Sequence, residues 1–253
     1  MGVAADAVRP EAEVGFAAEL RMFLAPRNRG GAVRVACDGI SSLGHVVESL
    51  GVPLPEVGEL VVNGAPAAAG YRLAAGDVAH AGAVRRPQPL PSARFILDVH
   101  LGTLARLLRL VGLDAAYAND LDDEELIERA NAGRRVLLTR DRGLLRRRRL
   151  WLGAYVRGAR PDDQLHDVLD RFAPPLAPRT RCAACNGTLA PVSKADVSPM
   201  LPPGTRRTYQ AFSRCTRCGR VFWRGAHSRR LDAVVDAAAR TVAESRERAT
   251  MVP

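Results

Sequence analysis

Two apolar strands that each run out into an aspartate constrain this chain more than any other feature. Val136 to Thr139 is an apolar run of the buried, parallel-strand type, and Arg140 and Asp141 follow it. Phe95-Ile-Leu97 repeats the arrangement and ends in Asp98. In open α/β sheets the carboxyl ends of the strands are where sites are built, so two carboxylates meeting at one edge suggest a divalent-cation site. Helical segments alternate with these strands. Leu101, Leu104, Leu107, Leu108 and Val111 share one face, and Gly112 ends that helix. A short strand (Asp114 to Tyr117) and the acidic stretch 119–125 lead to a second helix with Leu126, Ile127 and Ala130 inward. Beyond Asp141 come a helical segment with Leu144 and Leu145 and a last strand from Leu150 to Val156. A closing helix with Leu165, Val168, Leu169 and Phe172 on one face follows, with Asp162 or Asp163 as its cap. Crossovers this short imply an α/β domain, an open parallel sheet with helices on both faces.

The 253 residues allow two or three domains. Residues 14–84 read as an α+β unit. Its strands begin at Val14 and at Ala32, and a helix capped by Ser41 or Ser42 stops at Gly51. The strand Glu59-Leu-Val-Val, the turn Asn63-Gly64 and a final strand after Ala75-Gly-Asp77 complete it. That order is a β-grasp order. Prolines at 87, 89 and 91 mark a semi-rigid linker, so the α/β domain spans 94–173. A double-cysteine segment spans 179–230, and 231–253 reads as a weakly amphipathic, frayed helical tail.

Lys and Arg total 37 against 27 Asp and Glu, a net charge of +10, and Lys194 is the one lysine. Arginine pairs bidentately with phosphate, which fits a polyanion partner; a genome rich in G and C would enrich Arg and Ala without one. No apolar run reaches the roughly 18 residues of a membrane span, and the N-terminus has no signal-peptide pattern, so no membrane association and a cytoplasmic location are expected. Cys37 stands alone and reads as a core thiol. Cys182-x-x-Cys185 and Cys215-x-x-Cys218 have the spacing of a four-thiolate Zn²⁺ ribbon, closed by its four sulfurs and therefore structural.

Leu97-Asp98, Leu101-Gly-Thr-Leu-Ala-Arg-Leu-Leu-Arg109, Asp122-Asp-Glu-Glu-Leu126 and Leu137-Leu-Thr-Arg-Asp-Arg142, in this order, resemble the PIN-like nucleases. Within them the resemblance is to the RNase domain named after the C-terminal part of the Mut-seven exonuclease. Leu60-Val-Val-Asn-Gly64 and Ala75-Gly-Asp77 resemble the ubiquitin-like, sulfur-carrier-related domain found ahead of it. The resemblance implies a metal-dependent ribonuclease, an endonuclease, with Mg²⁺ or Mn²⁺ held by Asp98, Asp123 and Asp141. Asp120 or Asp122 could replace Asp123, Asp120 could supply a fourth carboxylate, and Thr139 would orient Asp141 or the attacking water. Each acid also has a plainer role as a helix cap or an acidic first turn.

Arg106, Arg109 and the run Arg146, Arg147, Arg148 and Arg149 are the candidate RNA contacts, or else a solvated face. The glutamate that PIN-like proteins often carry on an earlier helix has no equivalent between 99 and 119. That gap keeps open a catalytically degenerate RNA-binding or adaptor protein. Val221-Phe-Trp-Arg-Gly-Ala-His227 resembles the run that follows the family's ribbon, with His227 a stray candidate ligand. The expected partners are RNA and a protein docked through the β-grasp domain; nothing in the sequence sets an oligomeric state.

Overall fold

The computed structural model describes residues 10–225 and 228–251, and the His227 reading lies outside them. Two compact units form. One comprises the chain up to Arg85 together with Asp141–Arg148; the other comprises residues from Arg86 to Arg140 and from Arg149 onward.

In the first unit β1 (Glu11–Phe16) pairs antiparallel with β2 (Val33–Ala36). α1 (Leu43–Ser49) follows, capped by Ser42, whose hydroxyl accepts from the His45 amide. β3 (Val57–Val62), β4 (Ala65–Pro66) and β5 (Val78–Ala83) complete a sheet of order β2-β1-β5-β3-β4, with β1 and β5 parallel, as a β-grasp requires. The first strand stops at Phe16, earlier than its alternation suggests, and Ala18–Phe23 winds into a 3₁₀ helix. Leu20 and Phe23, three apart, eclipse in that helix and both bury.

The family-like residues of this unit lock one corner. Asn63 and Gly64 both adopt positive φ (52° and 82°), the mirror-image turn that hairpins favour. Asn63 Nδ2 donates to Asp77 Oδ1 at 2.8 Å, while the Val78 amide donates to Asn63 Oδ1 at 2.9 Å. Cys37 is half-exposed there, not a core thiol.

The second unit is built on β6 (Arg94–Leu97), α2 (Gly102–Leu110), β7 (Asp114–Tyr117), α3 (Asp123–Ala132) and β8 (Val136–Thr139). α4 (Arg142–Leu145), grouped with the first unit, comes next, and then β9 (Gly153–Tyr155) and α5 (Pro161–Phe172). The four strands are all parallel, in the order β7-β6-β8-β9. Every residue of β8 is buried, which accounts for its unbroken apolar run.

Two local readings need correction. The last strand is only Gly153–Tyr155, and Asp162 and Asp163 occupy the first turn of α5 while Arg160 holds the cap position. Pro161 fixes that start, because proline suits the first helical position.

β10 (Leu189–Val192), α6 (Lys194–Val197), α7 (Pro203–Thr208), β11 (Phe212–Cys215) and β12 (Val221–Trp223) form the cysteine-bearing module, a three-stranded antiparallel sheet. The tail is not frayed. α8 (Ser228–Met251) packs on α5, and Ala238 and Val242 join the core of the parallel-sheet domain. Its inward stripe is completed by small polar residues: Thr241 Oγ1 meets His166 Nδ1 at 3.0 Å, and Ser245 Oγ donates to the Asp170 carbonyl at 2.7 Å. A stripe of Ala, Thr, Val and Ser has little hydrophobic contrast, so periodicity underestimates it. Among the described residues no helix is long and apolar enough to cross a membrane.

Candidate active site and metal centre

Asp98 continues β6, and its amide donates to the Leu138 carbonyl of β8 at 3.0 Å. Its side chain is 8 % exposed. Oδ2 accepts a 2.6 Å hydrogen bond from Thr139 Oγ1, whose own residue is fully buried. The β-branched strand residue therefore both packs and orients an acid. Asp98 stands at the cap position of a 3₁₀ turn (Val99–Leu101), yet its carboxylate makes no capping bond.

The other acids behave differently. Asp141 is exposed and caps α4, Oδ1 accepting from the amides of Gly143 (2.6 Å) and Leu144 (3.3 Å). Asp122 caps α3, accepting from the Glu125 amide at 2.8 Å. Asp123 opens α3 in its exposed first turn, and Asp120 is exposed just ahead of it. Among the described residues the four cysteines are the one group of three or more His, Cys, Asp or Glu gathered closely enough to hold a metal ion.

The arginines divide as well. Arg106 and Arg146, Arg147 and Arg148 are exposed, while Arg149 ion-pairs with Glu124 at 2.8 Å and Glu128 at 3.7 Å. Arg109 does not lie on a solvated face. It is 3 % exposed, and it donates through Nε to the Ala115 carbonyl (2.8 Å) and through Nη1 to those of Ala183 (3.0 Å) and Ala184 (3.1 Å). A guanidinium can bridge three carbonyls because its donors fan out in a plane.

The four Sγ atoms of Cys182, Cys185, Cys215 and Cys218 lie within 4.8 Å of one another, with Cys182–Cys218 at 3.7 Å and Cys185–Cys215 at 3.4 Å. The two knuckles repeat one design. The amides of Cys182 and Cys215 donate to the carbonyls of Gly187 and Arg220, and those of Asn186 and Gly219 donate back to the carbonyls of Cys182 and Cys215. Asn186 and Gly219 take positive φ (66° and 72°), and a Cβ on Gly187 would sit 2.9 Å from Cys215 Sγ. Burial pushes the Cys215 thiol up, but the amides of Cys218 and Arg217 and hydrogen bonds shared with Cys185 and Cys218 outweigh that and bring it down, whereas burial pushes the Cys185 thiol up. The cluster can hold a metal.

Asp114, which the sequence marks only as the start of a strand, and Asn186 have a further role. Together they tie the cysteine module to the free edge of the sheet. β7 is an edge strand, and its Ala115 amide donates to Asn186 Oδ1 (3.1 Å) while its carbonyl receives Arg109. Asn186 Nδ2 donates to Asp114 Oδ1 at 2.7 Å, and Arg135 Nη1 reaches the same oxygen at 2.6 Å. Burial pushes the Asp114 carboxyl up, but hydrogen bonds from Arg135 and Asn186 and the charges of Arg135 and Arg181 hold it below the usual carboxylate value. Gly102 in the quoted motif also gains a reason. A Cβ there would fall 2.8 Å from the Tyr117 hydroxyl, which donates to the Val99 carbonyl beside Asp98.

The profile described as Mut7-C RNAse domain matches residues 93–235, and the profile described as Mut7-C ubiquitin matches residues 9–88. No curated protein and no solved structure matches the chain. With more than half of its residues in the RNase profile, the chain belongs to the Mut7-C RNAse domain family and carries the Mut7-C ubiquitin domain ahead of it.

Proposed function

We propose that the protein is a metal-dependent ribonuclease that cuts RNA internally at the carboxyl edge of the parallel sheet. The observation that carries this reading is Asp98, a nearly buried carboxylate with one oxygen fixed by Thr139 and no capping duty. A charge is not left in such a place without a counter-charge, and hard oxygen donors suit Mg²⁺ or Mn²⁺. Asp98 would hold the cation with Asp123 and Asp141, and Asp120 or Asp122 would complete the set. The chemistry that a divalent cation supplies there is neutralisation of phosphate charge and a more acidic water. Thr139 positions Asp98, and exposed Arg106 and Arg146 to Arg148 supply contacts for the RNA backbone. The ubiquitin-like domain docks a protein partner.

We assign zinc to the cysteine cluster. Tetrahedral thiolates at the Zn–S distance lie about 3.8 Å from one another, close to the 3.7 Å between Cys182 and Cys218. Replacing Cys215 with serine should leave protein that no longer carries stoichiometric zinc by elemental analysis.

The decisive assay is cleavage of a labelled structured RNA with Mn²⁺ or Mg²⁺ by wild type, Asp98→Asn and Asp141→Asn. Asparagine caps helices as well as aspartate does, so Asp141→Asn should keep α4 while activity falls by roughly 10²-fold or more. Full activity in both variants would overturn the reading. A second reading, an RNA-binding or adaptor protein, is favoured by one observation: no glutamate stands between 99 and 119, where PIN-like proteins often carry one. It predicts that wild type binds RNA and never cleaves it.

A further inference from the structure

The second unit contains a cleft of about 700 Å³ between α3, the β7 edge and the cysteine knuckles. Its apolar surface comes from Ala116 and Tyr117 of β7, Leu121 of the acidic loop and Ala132 at the end of α3. Arg109, Arg129, Arg135 and Arg217 line it too, and no Asp or Glu does. Arg135 is neutralised by Asp114, and Arg109 is fixed on its three carbonyls. Arg129 and Arg217 are exposed; Arg217 spends Nη1 on the Cys185 carbonyl at 3.4 Å and can turn its other donors to a ligand. The Arg129–Glu125 pair is half-exposed, at 54 % and 45 %, and solvent screens surface pairs of this kind, so a phosphate can displace it. A zinc-tetrathiolate centre would bring about −2 to the wall through Cys185 and Cys218, so with Arg135 already matched by Asp114 the cleft would hold phosphate by the directed donors of Arg129 and Arg217 rather than by an excess of charge.

The cleft is also placed for the chemistry. Tyr117, its wall residue, is the last residue of β7 and pairs in register with Leu97, the residue before Asp98. Leu121 lies between Asp120 and Asp122. An apolar floor with a cationic rim is what unpaired bases and their phosphates need. The volume falls within the roughly 300–1,000 Å³ of ligand sites, enough for roughly one or two nucleotides and too confined for a duplex.

We propose that this cleft is a single-stranded RNA subsite that seats the nucleotides next to the scissile phosphate. Its place beside the scissile bond rests on the ribonuclease reading; its capacity to bind RNA does not.

The test uses the full-length, metal-loaded chain carrying Asp141→Asn, so that bound RNA is not consumed. Binding of a short labelled single-stranded RNA is followed by fluorescence anisotropy over a range of salt. Ala132→Trp fills the cleft without changing charge and should weaken binding by roughly tenfold. Arg129→Gln should lower the salt-dependence slope by about one. Zinc content and melting temperature should stay at parent values in both, since Ala132 and Arg129 are exposed on α3. Parent-like affinity in Ala132→Trp, or an unchanged slope in Arg129→Gln, overturns the proposal. The two readings fail separately. Wild type that never cleaves RNA, with Ala132→Trp still impairing binding, defeats the ribonuclease and keeps the cleft. Active wild type with Ala132→Trp binding normally does the reverse.

Discussion

Arg109→Met removes the guanidinium that joins α2, the β7 edge and the first cysteine knuckle while keeping most of the side-chain volume. Three hydrogen bonds vanish, to Ala115, Ala183 and Ala184. Methionine offers no donor to replace them. At a net value of about 1–1.5 kcal/mol each, the loss is roughly 3–4.5 kcal/mol. A domain of this size loses about 2–4 °C per kcal/mol, so the melting temperature should drop by roughly 6–18 °C. Because two of the acceptors lie between Cys182 and Cys185, the metal should also leave faster when the variant is challenged with a chelator. Differential scanning calorimetry and a colorimetric zinc-release assay measure the two effects, with Arg109→Lys as an intermediate because its compact ammonium cannot span three carbonyls. A variant that melts within about 2 °C of wild type and releases metal at the wild-type rate would refute a structural role for Arg109 and return it to the pool of RNA contacts.

Two further outcomes are expected. The Asp114 carboxyl is held below its unfolded value by Arg135 and Asn186, so its stabilisation is complete above about pH 4 and is lost as pH falls through the lowered folded value. Asp114→Asn should cost roughly 1.5–3 kcal/mol at neutral pH and flatten the acid limb of the melting-temperature profile; an unchanged limb would remove Asp114 as its cause. The glycines at the start of α2 and just past its end should differ in severity. At Gly112 (φ 91°) a Cβ would collide with the Ala177 carbonyl oxygen, whereas at Gly102 it meets the Tyr117 hydroxyl at 2.8 Å. Gly112→Ala should therefore destabilise by about 3 kcal/mol or more and Gly102→Ala by about 1 kcal/mol; equal unfolding midpoints in denaturant would contradict the packing described.

Hydrophobic periodicity determined the βαβα alternation by itself, because a strand buried on both faces can hold no polar residue and β8 holds only Thr139. The double C-x-x-C spacing determined the cysteine cluster, since a knuckle is local backbone geometry that Asn186, Gly187 and Gly219 already encode. Strand-end positions likewise drew attention to Asp98 and Asp141. What sequence left open was which acid is free of a capping role. Asp98, Asp122 and Asp141 all look like acids ahead of helical turns, and only the folded chain separates them. Thr139 lies in the neighbouring strand, forty-one residues from Asp98, and no local pattern reports a contact at that distance. Arg109 was misread for the same reason: on the helix wheel it borders the solvated face, but the cysteine module covers it. The tail, too, took its stability from α5, whose surface accepts a stripe of small residues that shows little amphipathic contrast alone. Sequence by itself determined the elements and the ligand-bearing turns, which depend on near neighbours in the chain. Tertiary structure decided what each acid and arginine does, because burial and hydrogen-bond partners come from residues far away in sequence.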